Sequence, residues 1–383
     1  MTAPLATPAP RSDAAPTGPA PRVLFACGGT GGHVYPAIAI ADAVHALRPN
    51  AAIAFAGTRD RMEWEAVPKA GYPIHAITVS GFQRGLSATA LRRNVAFPFK
   101  LATGLWESWQ LVGAFDPDVV VGTGGYASGP VGLAGSLRGR KLVIQEQNAI
   151  AGATNRLLSN RADRVFVAFE AARDAFPGVE TIVSGNPVRS DLTPDADVAE
   201  ARAHFGLDAD RPVLLVMGGS LGAAPLNDAV EAHLSQLIDS GASVIWAAGK
   251  RYHASVRTRV TARPGLALMP YLDRMDLAYD AASLALCRSG ALTCSELAAT
   301  GTPSVLVPSP NVVADHQTQN ARALGAAARV VPEGALASRF ETDVLALLHD
   351  ADTLATMRDA ALAAARPDAA DTVARAVLSL VSR

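Results

Sequence analysis

The chain is poor in cysteine, with Cys27, Cys287 and Cys294 as its only three in 383 residues. An odd, sparse set without Cys-x-x-Cys spacing supplies neither a disulfide framework nor a zinc site, and fits reduced thiols in a cytosolic protein. No apolar run reaches the roughly 18 residues that a spanning helix needs. Charge of one sign is not in excess either: 34 Lys and Arg against 35 Asp and Glu leave a net −1. Nothing global therefore points to nucleic acid or to an acidic partner. Residues 1–21, dominated by Pro, Ala, Ser and Thr, lack the apolar stretch of a signal peptide and read as a disordered tail. The pairs Asp116/Asp118, Asp195/Asp197 and Asp208/Asp210 have Asp-x-Asp spacing, but none directly follows an apolar strand. Neither a metal nor a cofactor is expected.

What remains is a chain long enough for two hydrophobic cores. Order starts at Arg22, where Val23–Cys27 forms a short apolar run ended by Gly28-Gly-Thr-Gly-Gly-His33 and followed by a helical pattern. Strand, glycine turn and helix open a parallel βαβ unit. Further strand-like runs follow at Ala52–Ala56, Asp118–Val121, Lys141–Ile144, Arg164–Val167 and Thr181–Val183. A second start comes at Val213–Met217, ended by Gly218-Gly-Ser-Leu-Gly222, with strands expected near Ser243–Ala247, Leu266–Met269, Ser283–Cys287, Ser304–Val307 and Arg329–Val331. A shift of 190 lays Gly28, Gly29, Thr30 and Gly32 over Gly218, Gly219, Ser220 and Gly222, which suggests two units of similar design. Asn186-Pro187 opens a turn that bars helix continuation. The expected organisation is a tail over 1–21, one α/β domain over 22–186, a second over 187–360, and a C-terminal amphipathic helix over 361–383 packing back towards the first domain.

Three turns, Gly28–His33, Gly122–Pro130 and Gly218–Gly222, each follow an apolar strand. Glycine lets backbone approach a ligand, and a helix N-terminus behind such a turn suits a phosphate. The first and third turns do not fit G-x-G-x-x-G, and none fits the G-x-x-x-x-G-K-[ST] phosphate loop. His33 closes the first turn at the carboxyl edge of the sheet, where a histidine can take a proton near neutral pH; a helix-capping role is the alternative. Gln145-Glu-Gln-Asn148 places amides and a carboxylate at the same edge, suited to sugar hydroxyls or to helix capping. Glu296, in Cys287-Arg-Ser-Gly-Ala-Leu-Thr-Cys-Ser-Glu296, can accept from two ribose hydroxyls or complement a helix dipole. Between residues 81 and 111, Phe82, Phe97, Phe99, Trp106 and Trp109 interleave with Arg84, Arg92, Arg93 and Lys100. That composition serves interfacial membrane binding, or equally an ordinary helix with a solvated basic face.

In order, GGTGGH, GTGGYASGP, QEQN, GNPVR, GGSLGA, CRSGALTCSE and DHQ resemble the MurG family from about Arg22 to the C-terminus. The resemblance implies two Rossmann-like, doubly wound parallel-sheet domains facing a cleft, the GT-B type of glycosyltransferase. It implies transfer of N-acetylglucosamine from UDP-N-acetylglucosamine to the muramyl sugar of lipid I, forming lipid II for peptidoglycan and so serving cell shape and division. Donor contacts are expected from Thr30, Gly31, Gly32, Asn148, Arg189, Ser220, Leu272, Leu292, Thr293, Glu296 and Gln317. Thr30, His33, Gly125 and Tyr126 are expected to face the acceptor, with His33 as the base. An anionic membrane surface is the expected partner of the Phe82–Trp109 face, placing the protein peripherally on the cytoplasmic side of the inner membrane. One departure is Gln145, where many members carry histidine. The rival reading is a UDP-N-acetylglucosamine 2-epimerase-like enzyme, or another UDP-sugar transferase, of the same fold.

Overall fold

The computed structural model describes residues 19–59, 61–79, 88–192, 197–312 and 315–381, with backbone alone for 88–97. One sheet has seven strands: β1 (Arg22–Ala26), β2 (Ala52–Gly57), β3 (Ile74–Ala76), β4 (Val119–Gly122), β5 (Lys141–Glu146), β6 (Arg164–Val167) and β7 (Thr181–Val183). Its order is β3-β2-β1-β4-β5-β6-β7. The other has six: β8 (Val213–Met217), β9 (Ser243–Ala247), β10 (Leu266–Met269), β11 (Leu284–Cys287), β12 (Ser304–Leu306) and β13 (Ala328–Val330). These run β10-β9-β8-β11-β12-β13. Every pairing is parallel, which bears out the doubly wound α/β architecture read from the alternation of runs.

Parallel sheets are covered on both faces, so their strands read as unbroken apolar runs. Residues Val23 to Ala26 are fully buried but serve different sides. Val23 and Phe25 pack with Ile40 and Val44 of helix Gly31–Leu47, while Leu24 and Ala26 join Val131 and Leu158. Phe25 also stacks on Phe55, with ring centroids 5.1 Å apart. In the second sheet Leu214 and Val216 meet Leu226 and Val230, and Val213 and Leu215 meet Cys294 and Leu297. β3 has no counterpart in the sequence reading: three incompletely buried residues at a sheet edge leave no apolar run to detect.

The chain passes between the sheets twice. After β7 it runs through Gly185–Arg189, and it returns before helix Ala369–Ser379. The two passages touch: at φ +83, a Cβ on Gly185 would lie 2.4 Å from the Cβ of Arg366. Helix Ala369–Ser379 then docks Val373, Ala374 and Val377 into the first sheet's core beside Ile40 and Val44. Among the described residues, no helix is long and apolar enough to cross a membrane.

Candidate active site

Strand order reverses between β1 and β4 in one sheet and between β8 and β11 in the other. Open α/β sheets bind ligands outside the carboxyl ends at such points. The turns after β1 and β4 are therefore neighbours, and they interlock. A Cβ on Gly125, at φ +81, would lie 2.2 Å from the Gly28 carbonyl oxygen, so conformation and space both demand glycine. Thr123 Oγ1 donates to the His33 carbonyl at 2.8 Å. The third turn follows the first only in part. Gly29 and Gly219 share positive φ, but Gly222 is also left-handed and packs on the Ala248 carbonyl, whereas Gly32 is already helical.

The first turn is held from beneath by Glu63, a fully buried side chain. Its carboxylate accepts from Gly29 N at 3.0 Å and Thr58 N at 2.9 Å. One N–H that the sequence reading offers to a phosphate is thus engaged internally, while the N–H groups of Gly31 and Gly32, in the first turn of the helix, have no intrahelical acceptor. Glu63→Gln is expected to lower unfolding stability by ~2 kcal/mol, because an amide N–H would confront a backbone N–H. Urea denaturation checks this, and an unchanged midpoint would contradict the assigned role.

His33 is half-buried, and its Nδ1 lies 2.9 Å from Gln147 Oε1. The orientation of that carboxamide is fixed by its other end. Gln147 Nε2 faces only oxygens: Thr123 O at 2.7 Å, Gln145 O at 3.0 Å, and Gln145 Oε1. Oε1 must then accept, so Nδ1 carries the proton and Nε2 keeps its lone pair. The imidazole is arranged as a base. Tyr126, within the second turn, is 57% exposed. Thr30 is exposed and makes no side-chain cap to the helix behind it.

The Gln145–Asn148 run does not present four polar side chains to a ligand. β5 extends through Glu146, and Gln145, Glu146 and Gln147 are buried. Glu146 accepts from Asn148 N at 3.0 Å, Gly152 N at 2.8 Å and Asn155 Nδ2 at 2.8 Å, shaping the loop rather than touching His33. Asn148 sits on the seam between the sheets, its Oδ1 accepting from Asn320 Nδ2 at 3.3 Å. Asn320 Oδ1 in turn accepts from Ala149 N at 2.9 Å, across the same seam.

Opposite His33, helix Ala291–Thr300 starts at Gly290 with no side-chain cap and no acidic residue in its first turn. Its free N–H groups and positive dipole end are unopposed, a setting for an anion. Leu292 and Thr293 lie half-buried in that turn, and Ser220 half-buried in the third glycine turn. Glu296 follows in the same helix and accepts from Tyr279 OH at 2.9 Å. Burial pushes its carboxyl up to about 7, against the lowering effects of the Tyr279 hydrogen bond and the Arg189 charge. Arg189 itself donates through Nε and Nη2 to both oxygens of Asp191, at 3.0 and 2.5 Å. Gln317 Oε1 accepts from Ser309 N at 2.8 Å. Leu272 is buried with Met217, Tyr279 and Cys287, so only its main chain can be offered to a base. Among the described residues no three His, Cys, Asp or Glu side chains gather as a metal site.

On helix Ala88–Phe115, Phe99, Trp106 and Trp109 are exposed by 75%, 63% and 41%. Spacings of seven and three residues put them on one side of the helix, and the Arg138 guanidinium lies 4.0 Å from the Trp109 ring centroid. Phe82 lies outside the described residues, and Arg92, Arg93 and Phe97 are placed only as helical backbone.

Comparison with known proteins gives two family matches: the glycosyltransferase family 28 N-terminal domain over residues 23–167 and its C-terminal domain over 213–373. A Salinibacter ruber protein is 54% identical over 95% of this chain and 98% of its own length. It is named UDP-N-acetylglucosamine–N-acetylmuramyl-(pentapeptide) pyrophosphoryl-undecaprenol N-acetylglucosamine transferase. A Christiangramia forsetii protein of the same name is 43% identical, covering 85% of this chain and 88% of its own. The crystal structure of Acinetobacter baumannii MurG superposes with a TM-score of 0.73 at 30% identity, covering 94% of this chain and all of that one. The chain belongs to the MurG family. A UDP-GlcNAc 2-epimerase from Neisseria meningitidis also superposes, TM-score 0.62, but at 12% identity it shares only the fold. For this MurG-family chain, Gln147, expected with its run at the ligand edge, holds His33 instead, while Glu63 and Asn186 carry structural roles that reading the sequence had not placed. Asn186 had appeared only as a turn-former before Pro187, and no local signal marks Glu63.

Proposed function

We propose that the protein transfers N-acetylglucosamine from UDP-N-acetylglucosamine to the muramyl sugar of lipid I, giving lipid II. The observation that carries this is a histidine with its Nε2 lone pair free, set across an interdomain seam from an uncapped helix N-terminus bearing Glu296. Thr30, Gly31, Gly32, Gly125 and Tyr126 receive the acceptor beside His33, and Thr30, Gly31 and Gly32 also border the donor. Ser220, Leu292 and Thr293 take the donor diphosphate, Glu296 the ribose hydroxyls and the Leu272 main chain the uracil. Gln317, Asn148 and Arg189 border the donor sugar.

The acceptor oxygen attacks the anomeric carbon as His33 Nε2 takes its proton. The new C–O bond forms as the bond to the diphosphate breaks, and one displacement inverts the centre. UDP leaves with the electron pair, its charge received by the N–H groups at the start of helix Ala291–Thr300. One such preorganised donor is worth ~3 kcal/mol of barrier.

The test is transfer of radiolabelled sugar from UDP-N-acetylglucosamine to a short-chain lipid I. Labelled lipid II is the expected product. Release of UDP with epimerised sugar and no lipid product would favour the epimerase instead.

The exposed aromatic side of helix Ala88–Phe115 fits peripheral attachment to an anionic, cytoplasm-facing leaflet. Replacing Phe99 and Trp106 together with serine should weaken sedimentation with phosphatidylglycerol vesicles about tenfold or more, by the apolar area lost. Equal sedimentation would remove this side from the membrane contact.

A further inference from the structure

Between His33 and the donor-side helix runs an unbroken line of hydrogen bonds, buried at its middle, and all of them point the same way. His33 Nδ1–H donates to Gln147 Oε1 at 2.9 Å. Gln147 Nε2 donates to Gln145 Oε1. Gln145 Nε2 donates to Asn186 Oδ1 at 3.1 Å. Asn186 Nδ2 donates to Ser295 Oγ at 3.0 Å, and Ser295 Oγ donates to the Ala291 carbonyl at 3.1 Å. Asn186 Nδ2 also donates to the Gln147 carbonyl at 3.1 Å, which ties the linker back to the β5 loop. Gln145, Gln147 and Asn186 expose 0%, 1% and 3% of their surface.

Buried carboxamides are stable only with donors and acceptors matched, and in a chain each bond polarises the next. Reversing any one amide would set N–H against N–H or oxygen against oxygen along the whole line. The chain therefore admits one proton arrangement at its end, the Nδ1–H tautomer of His33. A carboxylate could impose the same tautomer but would add a charge. The carboxamide orients the ring without one.

We propose that Gln147, Gln145 and Asn186 are positioning residues for the transfer reaction, locking His33 as an Nε2 base and registering it against the first turn of helix Ala291–Thr300. The proposal rests on the role assigned to His33 above and names the groups that enforce it.

Gln147→Met keeps length and apolar volume but cannot accept from Nδ1. It should lower kcat about 10- to 100-fold, a smaller loss than removing the base, while the donor KM and the UDP affinity stay within about threefold. Gln147→Glu restores an acceptor but brings a negative charge to the ring, so the acidic limb of the kcat profile should move up by ~1 pH unit. Gln145→Leu breaks the next bond and should slow turnover. Gln145→His should recover most of that loss, since a neutral imidazole offers one acceptor nitrogen and one N–H. Should Gln147→Met fail to fold, the Gln147→Glu pH profile and the Gln145 pair decide the matter. Wild-type kcat in Gln147→Met, or an unmoved limb in Gln147→Glu, with His33→Ala slow, would overturn the proposal alone. Wild-type kcat in His33→Ala as well would instead remove His33 as the base.

Discussion

Replacing His33 with alanine is expected to lower kcat by about 10²–10⁴, or ~3–5 kcal/mol of barrier, with little change in donor affinity. The separation follows from where the side chain is tied. His33 Nδ1 is bound to Gln147, within the first sheet's own loops. Its carbonyl is held by Thr123 whatever the side chain. The groups that would hold UDP lie across the seam, on helix Ala291–Thr300 and the third glycine turn. Alanine therefore removes the proton acceptor while leaving the donor's contacts in place, and the helix loses no cap, because Thr30 and not His33 stands at that position. Steady-state kinetics with a short-chain lipid I, beside calorimetry with UDP, separates the two terms. A kcat within tenfold of wild type would show that another group takes the proton. A large loss of UDP affinity would show that His33 belongs to the donor site.

The glycine turns were legible because each combines two local constraints: a buried parallel strand, which is a run of apolar residues, and a turn whose backbone only glycine tolerates. Gly125 and Gly222 show both, with positive φ and a neighbouring carbonyl where a Cβ would sit. The repeat was legible only as far as that chemistry extends. Beyond the second glycine the two units differ, the first entering its helix at Gly31 and the other waiting until Ala224. What could not be read was the direction of polar side chains set by distant backbone. Gln147 points at His33 because the Thr123 and Gln145 carbonyls hold its other end. Glu63 reaches Gly29 from 34 residues away. An amide beside a strand end looks the same in sequence whether it greets a sugar or closes an internal chain, so the sequence left the Gln145–Asn148 run open between sugar contact and helix capping, and burial of Gln145, Glu146 and Gln147 turns those three inward. Leu272 was expected among the donor contacts without its burial, which depends on a core assembled from several other segments.

The second large effect is expected at Glu296, where donor binding should depend on pH in a range in which most carboxylates do not titrate. Burial raises this carboxyl to about 7. In the role proposed for Glu296, ribose hydroxyls would donate to the ionised form, so binding would favour deprotonation. Above about 7 the free enzyme already carries the carboxylate, and affinity is flat. Below it, each bound donor must displace a proton, so the apparent Kd for UDP should rise by up to about tenfold per pH unit until the complex itself protonates. The direction is opposite to that of a salt-bridged carboxylate with a lowered pKa, whose affinity would hold well into acid. Glu296→Gln should flatten the profile between pH 6 and 8, and Glu296→Ala should weaken UDP by about 2–3 kcal/mol, roughly 30- to 150-fold, for two charge-assisted hydrogen bonds. Tyr279→Phe supplies an internal check. The Tyr279 hydroxyl stabilises the ionised carboxyl, so its removal should move the break in the profile to higher pH while leaving the alkaline affinity within a few-fold of wild type. A wild-type UDP profile that is flat down to pH 5, or that breaks at the same place in Glu296→Gln, would take the ribose away from Glu296.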